Sequence, residues 1–300
     1  MKVLIIGGAG YVGSKLFEDL SKSHDVGTID LEWFGKAVYA EKNSHANYNI
    51  LSEVSLMSYD VVILLAAYAS VSLCAHNEQK SLENDVINFR NLFQRLNIVS
   101  KSRRIKFIYA SSGSVYGSQE EICSETNSKI QAVSFYDLCK RFNDEYALIH
   151  ESLVEFYGLR FGTVNGYSSH LRTDIMINAM YYNSKFKSSI SCSCPDQYRG
   201  ILDIADLSRT IQTIIKEPKD KRGIYNVVSF NANIGTIAKR VGKRLKCQII
   251  EGNAVTPYNF KLSCEKLMEA FPLLELNGSI DTIMDSLAKR PFYTSIRNIS

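Results

Sequence analysis

Apolar residues recur along the first half of the chain in short β-branched runs separated by stretches with helical spacing. Lys2 to Ile6 reads as a short apolar strand, and Gly13 to Ser21 places Leu16, Phe17 and Leu20 on one helical face. Val26 to Ile29, Val61 to Leu65 and Lys106 to Ala110 read as further buried strands. Between the last two, Val86, Phe89, Leu92, Phe93 and Leu96 recur at helical spacing. Strands alternating with helices predict a parallel sheet covered on both faces, and right-handed crossovers make it doubly wound, an α/β fold of the Rossmann kind.

Beyond Leu159 the regularity fades into Gly162, Gly166 and a Ser-rich turn. Helical patterns return at Ile175 to Tyr182, Leu207 to Ile215, Ile234 to Leu245 and Ile280 to Leu287. The expected organisation is a dinucleotide-binding domain over residues 1–163, with 200–217 packing back onto it, and a smaller α/β substrate lobe over 164–300. No internal repeat interrupts this reading.

Composition narrows the class. Hydrophobic residues make up 45% and charged residues 22% of 300, as in ordinary globular proteins. The net charge is only +4, and the densest basic stretch, Lys101, Arg103, Arg104 and Lys106, reads as a solvated loop, so no nucleic-acid partner is expected. The longest apolar run, Val61 to Ala69, is about half of what a bilayer needs, and the opening residues lack a signal-peptide pattern. A soluble cytoplasmic protein without membrane partners is the expectation. Seven scattered cysteines fit reduced thiols, and the lone Cys192/Cys194 pair reads as small residues in a strand, with no metal site.

Chemistry enters with the glycines. Gly7, Gly10 and Gly13 lie directly between the first strand and the first helix, with Tyr11 and Val12 inside the turn. The three supply a tight turn, close approach of backbone to a pyrophosphate, and close helix packing, with the phosphates resting on the helix N-terminus. Asp30 ends the next strand, 17 residues after Gly13, where a carboxylate meets an adenosine ribose. It would accept from both ribose hydroxyls and repel a 2′-phosphate, which favours NAD over NADP; an ordinary solvated aspartate at a strand exit is the alternative. Asn49 and Ile50 are the expected adenine-edge contacts. Leu65, Ala66 and Ala67 place small residues either against the dinucleotide or in the core.

Tyr136 and Lys140 lie one helical turn apart on a common face. A positive charge about 6 Å from a phenol favours the phenolate by roughly 2 to 3 kcal/mol at an effective dielectric near 20. Such a pair also occurs as a snorkelling couple on an exposed face. The stretch Ser111-Ser112-Gly113-Ser114-Val115-Tyr116-Gly117 follows a predicted strand some two dozen residues upstream.

Together the glycine turn, the Ser-rich stretch, the Tyr136/Lys140 pair and Leu159-Arg160-Phe161 with Gly166 resemble the extended short-chain dehydrogenase/reductases that act on nucleotide sugars. Later landmarks of that family are matched by Arg199 with Asp206, Ile224 to Val227 and Leu262 to Lys266. The resemblance implies that Ser112 hydrogen-bonds the reacting sugar hydroxyl, Tyr136 takes or returns its proton, and Lys140 holds the nicotinamide ribose. It also implies that Asn178 and Arg199 grip the substrate diphosphate, with a surface ion pair as the alternative for Arg199, and that the chain forms a homodimer. The related sugar dehydratases carry an Asp-Glu pair where this chain has Gly113 and Ser114, and Ala69-Ser70-Val71 resembles the epimerase form of its loop. An NAD-dependent nucleotide-sugar epimerase acting at C4 through a keto intermediate is therefore expected. A 4-keto-sugar reductase is the runner-up, and a non-catalytic dinucleotide sensor or scaffold a third reading. Thr163, Asn165 and Asp203 depart from family habit at positions expected to face the substrate or its support, so the resemblance does not carry sugar or nucleotide identity across.

Overall fold

The computed structural model describes residues 1–37, 39–126, 128–150, 154–254 and 256–289. Seven parallel strands form the central sheet, in the spatial order Gly223–Val227, Glu155–Phe161, Lys106–Ser112, Val61–Leu64, Lys2–Ile6, Asp25–Asp30, Asn43–His45. From Lys2–Ile6 the chain winds outward to Asn43–His45, then returns to Val61–Leu64 on the opposite side. That reversal opens a crevice at the carboxyl ends of Lys2–Ile6 and Val61–Leu64, where ligands bind in open α/β sheets.

Period-two alternation explains why both faces are apolar. Val3 and Ile5 face one layer with Leu16, Leu20, Ile211 and Ile214, while Leu4 and Ile6 face the other with Phe89, Leu92 and Phe93. Helix Tyr11–Leu20 and helix Ile204–Lys216 cover the first face, and helix Asn88–Val99 covers the second. Each fully buried aliphatic or aromatic side chain stabilises the fold by about 1.5–3 kcal/mol before entropy is counted.

A three-stranded sheet of Phe230–Asn233, Tyr198–Asp203 and Thr163–Asn165 leads into the second lobe. There Ile177, Tyr181, Ile237, Val241, Ile283 and Leu287 join helices Met176–Lys187, Ile234–Leu245 and Ile280–Ala288 in a separate core. Asn165, expected near the substrate, is fully buried; its Oδ1 accepts from Ile177 N at 2.9 Å and holds the start of helix Met176–Lys187. Asp203 likewise caps helix Ile204–Lys216 through Ala205 N and accepts from Thr282 Oγ1, each at 2.9 Å.

Two expectations change. Lys106 is not solvated: it is 4% exposed, and its ammonium donates to the terminal carbonyls of helix Ile204–Lys216, Ile214 O at 2.6 Å and Ile215 O at 3.2 Å, and to Glu217 O. Alternation turned its side chain inward, where a helix C-terminus supplies acceptors. Cys194 lies outside strand Ser189–Cys192, in a turn with φ of 51°. Among the described residues no helix is long and apolar enough to cross a membrane, and no group of three or more His, Cys, Asp or Glu is arranged to hold a metal ion.

Candidate active site

The crevice is a cleft of about 440 Å³ running from the glycine turn to the end of strand Lys106–Ser112. At its first end Gly7 has φ of +94°, and a Cβ there would stand 2.6 Å from Ala66 N. A Cβ on Gly13 would stand 2.0 Å from Gly7 O, so the helix packs against the turn only through a glycine. Gly10 is different: it is the N-cap of helix Tyr11–Leu20 with no side chain over the helix end. Unshielded first-turn N–H groups and the helix dipole make an anion site.

Asp30 lines the same end, accepting from Ala9 N at 2.9 Å and Glu32 N at 2.7 Å. Tyr11, Val12, Leu65, Ala66 and Ala67 also line the cleft. This set of open helix N–H groups, small wall residues and one carboxylate fits a dinucleotide with a free ribose diol. Asn49 and Ile50 do not reach the cleft. A short 3₁₀ turn at Tyr48–Ile50, held by Asn49 N donating to Asn47 Oδ1, leaves Ile50 64% exposed and turns Tyr48 inward, so Asn47 and Tyr48 line the wall instead.

At the other end Ser112 closes strand Lys106–Ser112, and helix Phe135–Ile149 starts at Ser134, whose Oγ accepts from Asp137 N at 3.2 Å. The helix brings Tyr136 and Lys140 into the cleft beside Ser112 and Ser114. The Lys140 ammonium lies 5.6 Å from the Tyr136 ring centre and donates to Ala110 O at 3.0 Å, which fixes it under the cleft. Behind the pair, buried Asp144 accepts from Arg160 Nε at 2.7 Å and Ser111 Oγ at 3.0 Å, tying this helix to two sheet strands. Burial pushes the Asp144 carboxyl up, against the pull of Arg160. Gly113 faces away from the cleft, and a Cβ there would stand 2.7 Å from Leu262 Cδ1.

Ser70, Thr163 and Arg199 line the substrate side. Arg199 is 7% exposed; it donates to Tyr198 O at 2.8 Å, to Thr256 Oγ1 at 3.0 Å and to Tyr258 O, and pairs with no carboxylate among the described residues. Burial pulls its guanidinium below the usual range. Asn178 is not available to a diphosphate. It is 1% exposed, its Oδ1 accepts from Gly166 N at 2.9 Å, and its Nδ2 donates to Arg172 O at 3.0 Å and Tyr11 Oη at 3.1 Å. Trp33, Arg172, Tyr258 and Phe260 line the cleft without having been singled out from the sequence. Trp33, Arg172 and Tyr258 stand in irregular segments and Phe260 in the four-residue strand Asn259–Leu262, where no periodicity marks them.

A family model described as the NAD dependent epimerase/dehydratase family matches residues 3–228. The chain belongs to that family, whose cofactor is NAD. It is 32% identical to Protein CapI of Staphylococcus aureus over 187 residues, a match that spans 55% of this chain and only about half, 55%, of that relative. It is 26% identical to a putative UDP-glucose 4-epimerase of Methanocaldococcus jannaschii over 223 residues, covering 69% of this chain and 71% of the other. Among solved structures, UDP-glucuronic acid 4-epimerase from Bacillus cereus in complex with UDP-glucuronic acid and NAD superposes with a TM-score of 0.82 at 20% identity, covering 95% and 97% of the two chains. That likeness concerns the fold.

Proposed function

We propose that the chain is a nucleotide-sugar epimerase that inverts C4 through a transient ketone. The observation that carries this reading is the chemistry around Ser112: Tyr136 and Lys140 stand beside it, while position 113 has no room for a side chain and position 114 is a hydroxyl. Elimination of water needs an acid and a base on the substrate, and the family's dehydratases place theirs at those two positions. A sequence relative described as a putative UDP-glucose 4-epimerase supports the same reading, and nothing in the cleft favours the keto-sugar reductase.

Gly7, Gly10 and Gly13 would hold the pyrophosphate of NAD on the helix Tyr11–Leu20, and Asp30 its adenosine ribose. Bound there, NAD supplies a two-electron oxidant that later returns the electrons to the sugar. Tyr136 and Ser112 bracket the reacting hydroxyl; Tyr136 takes its proton and gives it back. Lys140, held by Ala110 O, keeps its positive charge 5.6 Å from the centre of the Tyr136 ring. Arg199, whose Nη hydrogens are given to Tyr198 O, Tyr258 O, Gln197 Oε1 and Thr256 Oγ1, offers the substrate phosphates its positive charge and its Nε–H. We further place the protein in the cytoplasm, on its seven unpaired cysteines, and read it as a homodimer through exposed Leu138, Leu148 and Ile149 of helix Phe135–Ile149.

Purified protein given UDP-glucose, UDP-N-acetylglucosamine and their uronic acids is expected to invert C4 of at least one without added NAD. Loss of water or net production of NADH overturns the reading.

A further inference from the structure

The helix that carries Tyr136 and Lys140 also carries a carboxylate that the mechanism above does not use. Asp137 follows Tyr136 and is fully buried. Its Oδ2 accepts from Tyr258 Oη at 2.8 Å and Val133 N at 3.2 Å, and its Oδ1 accepts from Ser114 Oγ at 2.5 Å. Ser114 Oγ in turn lies 2.8 Å from Ser112 Oγ, and Ser114 N donates to Ser112 Oγ at 3.2 Å. The N-cap contact with Ser134 uses only the backbone N–H of Asp137, and the bond from Val133 N holds the chain just before the helix. Neither accounts for Ser114 or Tyr258.

Proton counting sets the direction of this line. Each serine hydroxyl has one proton to give. Ser114 gives its proton to Asp137, so toward Ser112 it can only accept. Ser112 then gives its own proton to Ser114 and keeps a lone pair for the cleft, which it lines. That polarity complements an alcohol, the donor form of the substrate.

We infer that Asp137 is the proton-holding end of a relay through Ser114 to Ser112, a second proton path beside Tyr136. The inference rests on the epimerase reading. As the sugar carbon is oxidised, its O–H bond breaks and the proton goes to Ser112 Oγ. The Ser112 proton passes to Ser114 and the Ser114 proton to Asp137 Oδ1, while the carbon-bound hydrogen leaves with its electron pair to NAD. Every donor has now become an acceptor along the same line: Asp137 donates to Ser114, Ser114 to Ser112, and Ser112 to the ketone oxygen. The line therefore matches both oxidation states of the carbon, and reduction from the other face runs it backward. Because Asp137 is buried, the proton stays in the protein while the ketone turns over. Asp137 touches neither sugar nor cofactor; it is a positioning residue that acts through two hydroxyls.

The test uses the full chain and the nucleotide sugar that it inverts. Asp137→Asn keeps acceptors for Val133 N and Tyr258 Oη but holds no proton, and its amide donates to Ser114, reversing the line. Ser114→Ala cuts the line and leaves Asp137 in place. Each is expected to lower kcat about 10-fold with KM within about 2-fold in protein that remains folded by circular dichroism at the assay temperature, and Ser114→Thr restores kcat. The two losses lie in series, so the double variant is no slower than either alone. Tyr136→Phe keeps a turnover through the relay that adding Asp137→Asn removes. A kcat within 2-fold of wild type in Asp137→Asn or Ser114→Ala, multiplying losses in their double variant, or a Tyr136→Phe residue of activity indifferent to Asp137 overturns the relay. If the wild-type chain inverts no nucleotide sugar, the epimerase reading falls separately. The relay is then judged by carbon-13 NMR of labelled aspartate carboxyls: Ser114→Ala must move the resonance that Asp137→Asn abolishes, and an unmoved resonance overturns it.

Discussion

Gly10 and Gly13 are three residues apart and have different reasons to lack a side chain. At Gly13 the obstacle is the protein itself, because a Cβ would meet Gly7 O at 2.0 Å and both groups are backbone. Gly13→Ala is therefore expected to destabilise the fold by about 3 kcal/mol or more, read from urea unfolding. At Gly10 the backbone is extended, with φ of −77° and ψ of 178°, and the nearest atom to an added Cβ is 3.3 Å away. Gly10→Ala should fold normally but place a methyl over the helix N-terminus, weakening NAD binding at least 10-fold by calorimetry. Equal loss of stability in both variants would contradict this division. Arg199 makes a complementary case on the substrate side. Lysine there keeps the charge but not the hydrogen bonds to Tyr198 O, Tyr258 O and Thr256 Oγ1 that hold the guanidinium at the cleft wall, so Arg199→Lys should raise the KM for a nucleotide sugar about 10-fold with kcat little changed; a KM within 2-fold of wild type would remove Arg199 from phosphate binding. Gly7, Gly10, Gly13, Ser112, Tyr136 and Lys140, which line one cleft, could be singled out because each stands in a motif of residues close in sequence. Asn178 was misread because its partner Tyr11 is 167 residues away, and Asp137 went unread because Tyr258, 121 residues away, is what marks it.

At the scale of elements, the strands read at Lys2, Val26, Val61 and Lys106 fall within one or two residues of those observed, since β-branched runs bounded by turns have few other ways to fold, whereas the buried strands Glu155–Phe161 and Gly223–Val227 were not read as strands. Helix Ile234–Leu245 coincides with its apolar pattern. The pair Ser118–Cys123 and Asn259–Leu262 was not visible: the first is mostly exposed and polar, and its partner comes more than 130 residues later. The C-terminus of helix Ile204–Lys216 was hidden for the same reason, because the group that caps it is Lys106, 108 residues from Ile214. Burial pulls the Lys106 ammonium down, while Glu155 at 3.7 Å pulls it up. Lys106→Met keeps the stem but orphans helix carbonyls and strips buried Glu155 of one of its two cationic partners, Arg104 being the other. The expected cost is about 2–4 kcal/mol in chemical denaturation, without a change in KM. A cost under about 0.5 kcal/mol would show that the cap contributes little.

At the scale of the molecule, the question is whether the two lobes unfold together. Helix Ile204–Lys216 follows strand Tyr198–Asp203 of the second lobe, yet Leu207, Ile211 and Ile214 pack in the same core as Val3 and Leu16, and Ser208 Oγ donates to Asp19 Oδ2 at 2.7 Å. At its other end buried Asp206 accepts from Asn277 N at 3.1 Å and Gly278 N at 2.8 Å, just before helix Ile280–Ala288. One helix thus shares the core of the sheet and anchors the second lobe, so neither lobe can lose it without exposing apolar surface in the other. We propose that the lobes form one cooperative unit. The chain offers a clean probe, because its single tryptophan, Trp33, lies in the first lobe on the cleft wall. Trp33 fluorescence reports that lobe alone, while far-ultraviolet circular dichroism reports helices of both, and the two thermal transitions are expected to share one midpoint. NAD at about 100 times its dissociation constant adds roughly 2.7 kcal/mol, which for a chain of this size is about 4 °C, and both transitions should move by that same amount. Two separate midpoints, or a shift with NAD in the fluorescence transition alone, would mean that helix Ile204–Lys216 belongs to one lobe only and that binding at the glycine turn does not stabilise the substrate side.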